Sequence, residues 1–328
     1  MLELYLEQPN KLNLREVEAL PAPQDREVKI KIVYGGICGS DLRVYKGKIS
    51  YAEYPIRPGH EVVGVVTEVG KGSKHVVGTK VVVFPNTFCE KCEYCLTGKT
   101  NICKGKKPLG VAVDGVFAQE ILIDSKYAIA VPSDMQDERA ILVEPFAVTV
   151  HALKKASISE GSSVAIVGTG TEGLLAAALA NKLGANVTAI DINPTKLELA
   201  RKIGCCRSML TQEVSEETFD VVIEAAGVKE AIEKAIRLVK PGGTMIALGV
   251  TGDPVTYDPI HIVRSEIDIR GTIIYTLSDF SDAIDYLCDP TFNVDKIISK
   301  FFQLKYFNEA FQDAFSGNFA KIVLDFRS

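Results

Sequence analysis

Apolar positions follow two rhythms along the chain, with the change near Ser163. Before it, short Val/Ile-rich runs are broken by Gly and Pro, as in VKIKIVYGG, EVVGVVTEVG, TKVVVFP and FAQEILID. Such runs bounded by turn residues predict β-strands. After it, apolar strands alternate with helical stretches. SVAIVGTGTEG leads into LLAAALANKLGA, NVTAID into PTKLELARKIG, and FDVVIEAAG into EAIEKAIRLVKPGG, followed by TMIALGV. That alternation predicts a parallel sheet with helices on its faces. Beyond about Thr276 the pattern weakens into helical pieces and a last strand, KIVLDF. The expected fold is α/β, a doubly wound parallel sheet plus a β domain. The expected boundaries are 1–145, 146–276 and 277–328.

Two local features refine this picture. Only seven residues, QEVSEET, separate Thr211 from Phe219. In a sheet of order 3-2-1-4-5-6 the third-to-fourth connection crosses roughly 14 Å and returns along a strand of roughly 17 Å. Seven residues reach about 25 Å, enough for the crossing but not for a helix. The connection is therefore expected to be shortened, leaving one face of the sheet less covered or covered by a partner. The stretch IDIRGTIIY, Ile267 to Tyr275, predicts an edge strand able to pair across a two-fold axis.

Composition narrows the function classes. Hydrophobic content of 47% with 24% charged residues is that of a globular protein. A net charge of −5, with lysines and arginines scattered, argues against nucleic acid as a partner. The opening MLELYLEQPN carries Glu3 and Glu7 and does not read as a signal peptide. Glu172 and Lys182 interrupt the best apolar run, so no membrane span is expected. The expected location is cytoplasmic, where thiols stay reduced and clustered cysteines read as metal ligands.

Four of the eight cysteines fall in CEKCEYCLTGKTNIC, with spacing C-x2-C-x2-C-x7-C. Four thiolates, from Cys89, Cys92, Cys95 and Cys103, can close tetrahedrally on zinc and leave no open position, the mark of a structural site. An iron–sulfur cluster wants a shorter last gap and a following proline, whereas Lys104 follows Cys103. A catalytic zinc needs about three protein ligands and one exchangeable position. GGICGSD supplies Cys38, RPGHE supplies His60 and Glu61, and LVEPFAVTVHA supplies Glu144. Cys38 and His60 are suitable ligands, with Glu61 and Glu144 as candidate thirds; spacing alone fits packed residues equally well.

VAIVGTGTEGLLAAALA places Gly168, Gly170 and Gly173 between a strand and a helix, the context a dinucleotide turn requires. The glycines permit a tight turn against a pyrophosphate, which the helix N-terminus attracts. Thr171 and Glu172 lie in the same turn. Asp191 follows eighteen residues after Gly173, where a carboxylate accepts ribose hydroxyls and repels a 2′-phosphate. NAD is therefore expected over NADP. Ala225, Gly227, Leu248, Gly249 and Val250, where the next two strands end, complete the candidate cofactor contacts.

These motifs occur in the order found in the zinc-containing medium-chain dehydrogenase/reductase family, which the chain resembles over most of its length. LVEPFAVTVHA is similar to the branch of polyol (sorbitol), butanediol and threonine dehydrogenases. The resemblance implies a GroES-like catalytic domain, with a structural-zinc lobe at about 85–107, beside a Rossmann domain, the active site lying in the cleft between them. It implies two zinc ions per chain and a homodimer or homotetramer. Cys38 and His60 are implied as ligands of catalytic zinc, with Glu61 or Glu144 as the third and Glu61 ranked first. The implied reaction is hydride transfer between NAD(H) and a small polar secondary alcohol or ketone. A polyol, sugar alcohol or inositol-like ring is the leading substrate, with threonine and butanediol as rivals. A zinc-free reductase, or a nucleotide-binding relative without turnover, is the competing class, and the ligand set argues against both.

Ser40 is the candidate proton relay, because a hydroxyl donates and accepts at once; ordering its loop is the alternative. Arg43 stands where CGSDxH would place a histidine. A guanidinium stays protonated and cannot be the relay base, so Arg43 is a candidate to grip a cofactor phosphate or a substrate oxygen. Lys196 reaches the adenine ribose or is a solvated helix charge. Relatives carry small or apolar residues where Thr171 and Glu172 stand, so Glu172 is expected in solvent or on a helix-end amide.

Overall fold

The computed structural model describes residues 1–215 and 217–327. A hairpin of β1 (Leu2–Gln8) and β2 (Lys11–Glu16) opens the chain. Then come β3 (Glu27–Ile37), α1 (Gly39–Tyr45), β4 (Glu61–Val69), β5 (Lys80–Val83), α2 (Glu93–Leu96), β6 (Glu120–Asp124) and β7 (Ala128–Ala130). Two helices, α3 (Asp137–Ala140) and α4 (Val143–Leu153), lead to the alternating region. That region runs β8 (Ser163–Val167), α5 (Thr171–Lys182), β9 (Asn186–Asp191), α6 (Pro194–Lys202), β10 (Arg207–Leu210), β11 (Phe219–Glu224), α7 (Lys229–Arg237), β12 (Val239–Ala247), α8 (Pro259–Ser265) and β13 (Asp268–Gly271). The chain continues with α9 (Leu277–Cys288), β14 (Ile298–Gln303), α10 (Phe307–Ser316) and β15 (Lys321–Asp325).

The alternating region forms one parallel sheet, ordered β10-β9-β8-β11-β12-β13, which is the doubly wound 3-2-1-4-5-6 arrangement. Four of the five residues of β8 are buried, as befits a central strand covered on both faces. Helix α6 starts where the sequence says it should, with Asn193 accepting from the Thr195 amide at 2.9 Å and Pro194 in the first turn. Between β10 and β11 the described residues hold only a 3₁₀ turn, Thr211–Glu213, and no α-helix. Val214 of this link and Ala235 and Ile236 of α7 pack with Ala165, Val167, Ile190 and Val222 on that face.

The second sheet is mostly antiparallel, ordered β14-β15-β3-β4-β5-β7, with β6 also on β3. Its middle is assembled from distant sequence, since β15 lies beside β3, which lies beside β4. Tyr34, Val63, Val82 and Phe84 of this sheet share one core with Val150, Leu174 and Ile223, so the apolar interior runs from one half to the other. Among the described residues no helix is long and apolar enough to cross a membrane.

The expected edge strand is shorter than the sequence pattern suggests. Only Asp268–Gly271 pairs with β12. The chain then turns inward, with Ile274 at φ +41°, and buries Tyr275 completely. An inward tyrosine with a polar partner ends a run that alternation alone would extend.

Candidate active site and metal centres

Adjacent strands bring three chemical groups to one point. Strand β3 ends at Ile37 and delivers Cys38 as the extended residue before α1. Strand β4 begins with Glu61, directly opposite Gly36. A Cβ on Gly36 would come within 2.2 Å of a Glu61 carboxylate oxygen, so glycine there makes room for the acid. On the other side of β3, Ile322 of β15 pairs with Ile37 and sets Lys321 beside the same spot.

The Cys38 Sγ, a His60 ring nitrogen and a Glu61 carboxylate oxygen lie within 4.8 Å of one another. Thiolate, imidazole and carboxylate at this separation fit a zinc ion with an open position, the donor set of a catalytic site. Asp41 Oδ1 stands 3.2 Å from His60 Nδ1, misaligned for a hydrogen bond but close enough to orient the ring. Asp41 also accepts from the amides of Cys38 at 2.9 Å and Gly59 at 3.2 Å, tying both ligand loops together. Ser40 Oγ is 3.4 Å from His60 Nε2. Burial pulls the His60 imidazole down, but Asp41 and Cys38 outweigh it and hold it well above its ordinary range. Burial and the Glu61 charge push the Cys38 thiol up. A divalent cation reverses both effects by replacing the protons.

Lys321 was not singled out from the sequence. Its ammonium is buried and donates to both Glu61 oxygens, at 2.7 and 2.5 Å, and to the Ile37 carbonyl at 3.4 Å. Burial works against the charge, and Glu61 and Cys38 more than restore it. The available signal was a lysine opening a strand whose next three residues are apolar, in KIVLDF. Glu144, in the first turn of α4, stands outside the three-residue cluster and accepts from the Tyr275 hydroxyl, which accepts from Asn86 at 3.2 Å. Burial pushes the Glu144 carboxyl up to about 7.

The four cysteine sulfurs of the lobe lie within 4.8 Å of one another, with individual pairs at 3.5, 3.9 and 4.0 Å. Tetrahedral zinc with bonds near 2.3 Å needs sulfurs about 3.8 Å apart, so this set fits. The amides of Cys89 and Gly105 donate to Cys103 Sγ, both at 3.3 Å. Backbone amides of Cys95 and Lys104 pull the Cys92 thiol down to about 6, while desolvation and neighbouring thiols push Cys95 up to about 12. Thiols that crowd one another share their protons in this way.

The nucleotide turn also fits its ligand. Gly168 adopts φ +93°, and a Cβ on Gly173 would come within 1.9 Å of the Gly168 carbonyl oxygen. Open space surrounds the position a Gly170 Cβ would take, at the helix end where a phosphate approaches. Thr171 Oγ1 donates to the Ala320 carbonyl at 2.9 Å, fastening α5 beside Lys321. Asp191 ends β9, but its carboxylate already braces the turn, accepting from the Thr169 amide and hydroxyl at 2.6 and 2.8 Å and from the Asn193 amide at 2.8 Å. Lys196 sits half-buried in the first turn of α6. Ala225 and Gly227 follow β11, and Leu248, Gly249 and Val250 follow β12. Arg43 Nη1 donates to the Val250 carbonyl at 3.0 Å, across the cleft. Glu172 differs from expectation: it turns inward, with Oε2 3.3 Å from the buried Thr149 hydroxyl. Burial pushes its carboxyl up to about 8, and the charges it feels are Lys321, Glu144 and Glu61.

A cavity of about 750 Å³ lies among α4, α5 and α9, lined by Val150, Leu153, Leu179 and Tyr286. It shares no residue with either metal cluster or the glycine turn, so the chemistry is assigned to the cleft instead.

Residues 24–133 match the alcohol dehydrogenase GroES-like domain and residues 173–288 the zinc-binding dehydrogenase domain. The chain belongs to the zinc-containing medium-chain dehydrogenase/reductase family, and it is an oxidoreductase of alcohols. It is 31% identical over 319 residues to the sorbitol dehydrogenase of Halalkalibacterium halodurans, covering 93% of each chain. Among solved structures, it is similar to an Escherichia coli alcohol dehydrogenase complexed with NADH, at TM-score 0.92 and 27% identity over 99% of each chain. A Sinorhizobium meliloti structure bound to NADP matches at TM-score 0.93 and 28% identity, over 99% of this chain and 98% of that one.

Proposed function

We propose that the chain transfers a hydride between NAD(H) and a polyol or sugar alcohol. One zinc is held by Cys38, His60 and Glu61, and a second, structural zinc by Cys89, Cys92, Cys95 and Cys103. The observation that carries this reading is the junction at Ala320–Lys321. The helix of the glycine turn is bonded to Ala320, and the next residue grips Glu61, so dinucleotide turn and metal cluster meet.

Zinc supplies Lewis acidity and nicotinamide the two-electron acceptor. The protein's own groups do the rest. Lys321 holds Glu61 in place by donating to both of its oxygens, and Asp41 turns His60 so that Nε2 faces the cluster. Ser40 Oγ accepts the substrate proton and passes it outward. Arg43, fixed to Val250, holds the catalytic half against the nucleotide half and leaves its remaining N–H groups for a cofactor phosphate or a substrate oxygen. The Asp191 charge favours NAD over NADP by repelling a 2′-phosphate, and Lys196 reaches the adenine ribose. The similarity to a sorbitol dehydrogenase over almost the whole chain supports a vicinal-hydroxyl substrate. Exposed β13, with Ile269 outward on it and Ile273 outward just beyond it, supports a homodimer or homotetramer built on sheet-edge pairing. The reading also places the enzyme in the cytoplasm.

The test is a panel of sorbitol, xylitol, butanediol, threonine and ethanol with NAD and with NADP, on protein of measured zinc content. Two zinc per chain and turnover of polyols with NAD are expected. Turnover of ethanol alone, or preference for NADP, rejects the assignment. His60→Ala should retain one zinc per chain and lose turnover.

A further inference from the structure

Glu172 is the second residue of α5, within the glycine turn, yet its carboxyl faces inward. Its hydrogen-bond partner, Thr149, is fully buried on α4. The charged and titratable groups around it are Lys321 from β15, Glu144 from α4 and Glu61 from β4. Glu172 also follows Thr171, which is bonded to Ala320, and the next residue, Lys321, grips Glu61 of the metal cluster, so the carboxyl sits on the turn where dinucleotide and cluster meet. A dinucleotide with its phosphates on α5 and its reactive ring at that cluster must run past this carboxyl. The oxidised ring carries a positive charge and the reduced ring none.

We propose that Glu172 is a cofactor-contacting residue that makes this enzyme bind oxidised nicotinamide in preference to reduced nicotinamide. The proposal rests on the reading that the chain binds NAD(H). A carboxylate beside a cation in a poorly hydrated cleft attracts it strongly, while the neutral ring gains nothing. By linkage, oxidised cofactor draws a proton off Glu172 and reduced cofactor does not. Favouring the oxidised form on the enzyme also shifts the bound equilibrium toward reduction of the ketone. The half-buried carboxyl, pushed up to about 8, places this coupling within the working pH range.

The experiment measures the dissociation constants of NAD⁺ and NADH by calorimetry and fluorescence on the zinc-loaded enzyme, between pH 6 and 9. The wild type should bind NAD⁺ about tenfold more tightly as pH rises across this range, equivalent to about 1.4 kcal/mol, while NADH affinity stays nearly flat. Glu172→Gln, and Glu172→Ala where the first fails to fold, should reduce this rise to that set by the remaining groups. The NAD⁺ to NADH affinity ratio at pH 9 should fall by about tenfold. A ratio and a pH profile unchanged in either folded variant overturn the proposal. Failure of the wild type to bind either nucleotide overturns the nicotinamide reading beneath it.

Discussion

Lys321 and Glu61 face each other at 1% and 0% side-chain exposure, so neither charge has water to fall back on. Breaking such a pair leaves its survivor uncompensated and costs about 3–5 kcal/mol. Lys321→Met is expected to lose stability on that scale in urea unfolding and to weaken zinc retention at the three-residue cluster. Glu172 and Glu144 make the opposite kind of contribution. Their folded carboxyls sit near 8 and 7, above the ordinary 4.5, so the folded state binds more protons between those limits. Stability of the free protein should therefore fall as pH rises from about 4.5 to about 8. Glu172→Gln should flatten part of that slope and gain on the order of a few kcal/mol at pH 8. Cys38, His60 and Glu61 were legible because short motifs carry them. Lys321 was not, because its partner lies 260 positions away and only strand pairing reveals the contact. Glu172 was visible as an oddity, but its inward direction depends on Thr149 and Lys321.

At the level of elements, the cysteine lobe has little of its own to hold it. Its helix has four residues and its 3₁₀ turn three, too short for independent stability. Cys95→Ser should remove one zinc per chain, read by metal analysis, and expose the chain between residues 89 and 107 to proteolysis. The edge strand β13 makes a different prediction. Ile269→Lys places a charge on an exposed sheet edge, which disfavours edge pairing. Lighter particles in sedimentation are expected, with the far-ultraviolet spectrum unchanged. The alternation of strand and helix was readable because each element repeats its own period. The end of β13 was not, since the burial of Tyr275 against Glu144 is a tertiary event. The shortened link before β11 was readable from reach alone, because seven residues have room for a turn but not for a helix.

Across the whole molecule, the polar contacts that join the halves include Arg43 to Val250, Thr171 to Ala320, Asn86 to Tyr275 and Asn193 to Asn318. Arg43→Ala is expected to raise amide hydrogen exchange at residues 249–252 while leaving β3 and β4 protected. Unchanged exchange there would show that the shared apolar core and the remaining polar contacts hold the cleft without Arg43. The order β14-β15-β3-β4 has a consequence for biosynthesis. A nascent chain arrested before residue 321 already carries the thiol, the imidazole and the acid, but a slot stands open where β15 belongs. The ammonium that anchors the acid belongs to a strand made 260 positions after its partner Glu61. The sheet therefore closes on a contact of very long sequence separation, whose loop entropy is spent before the contact repays it, and assembly of this corner is expected to be a slow step of folding.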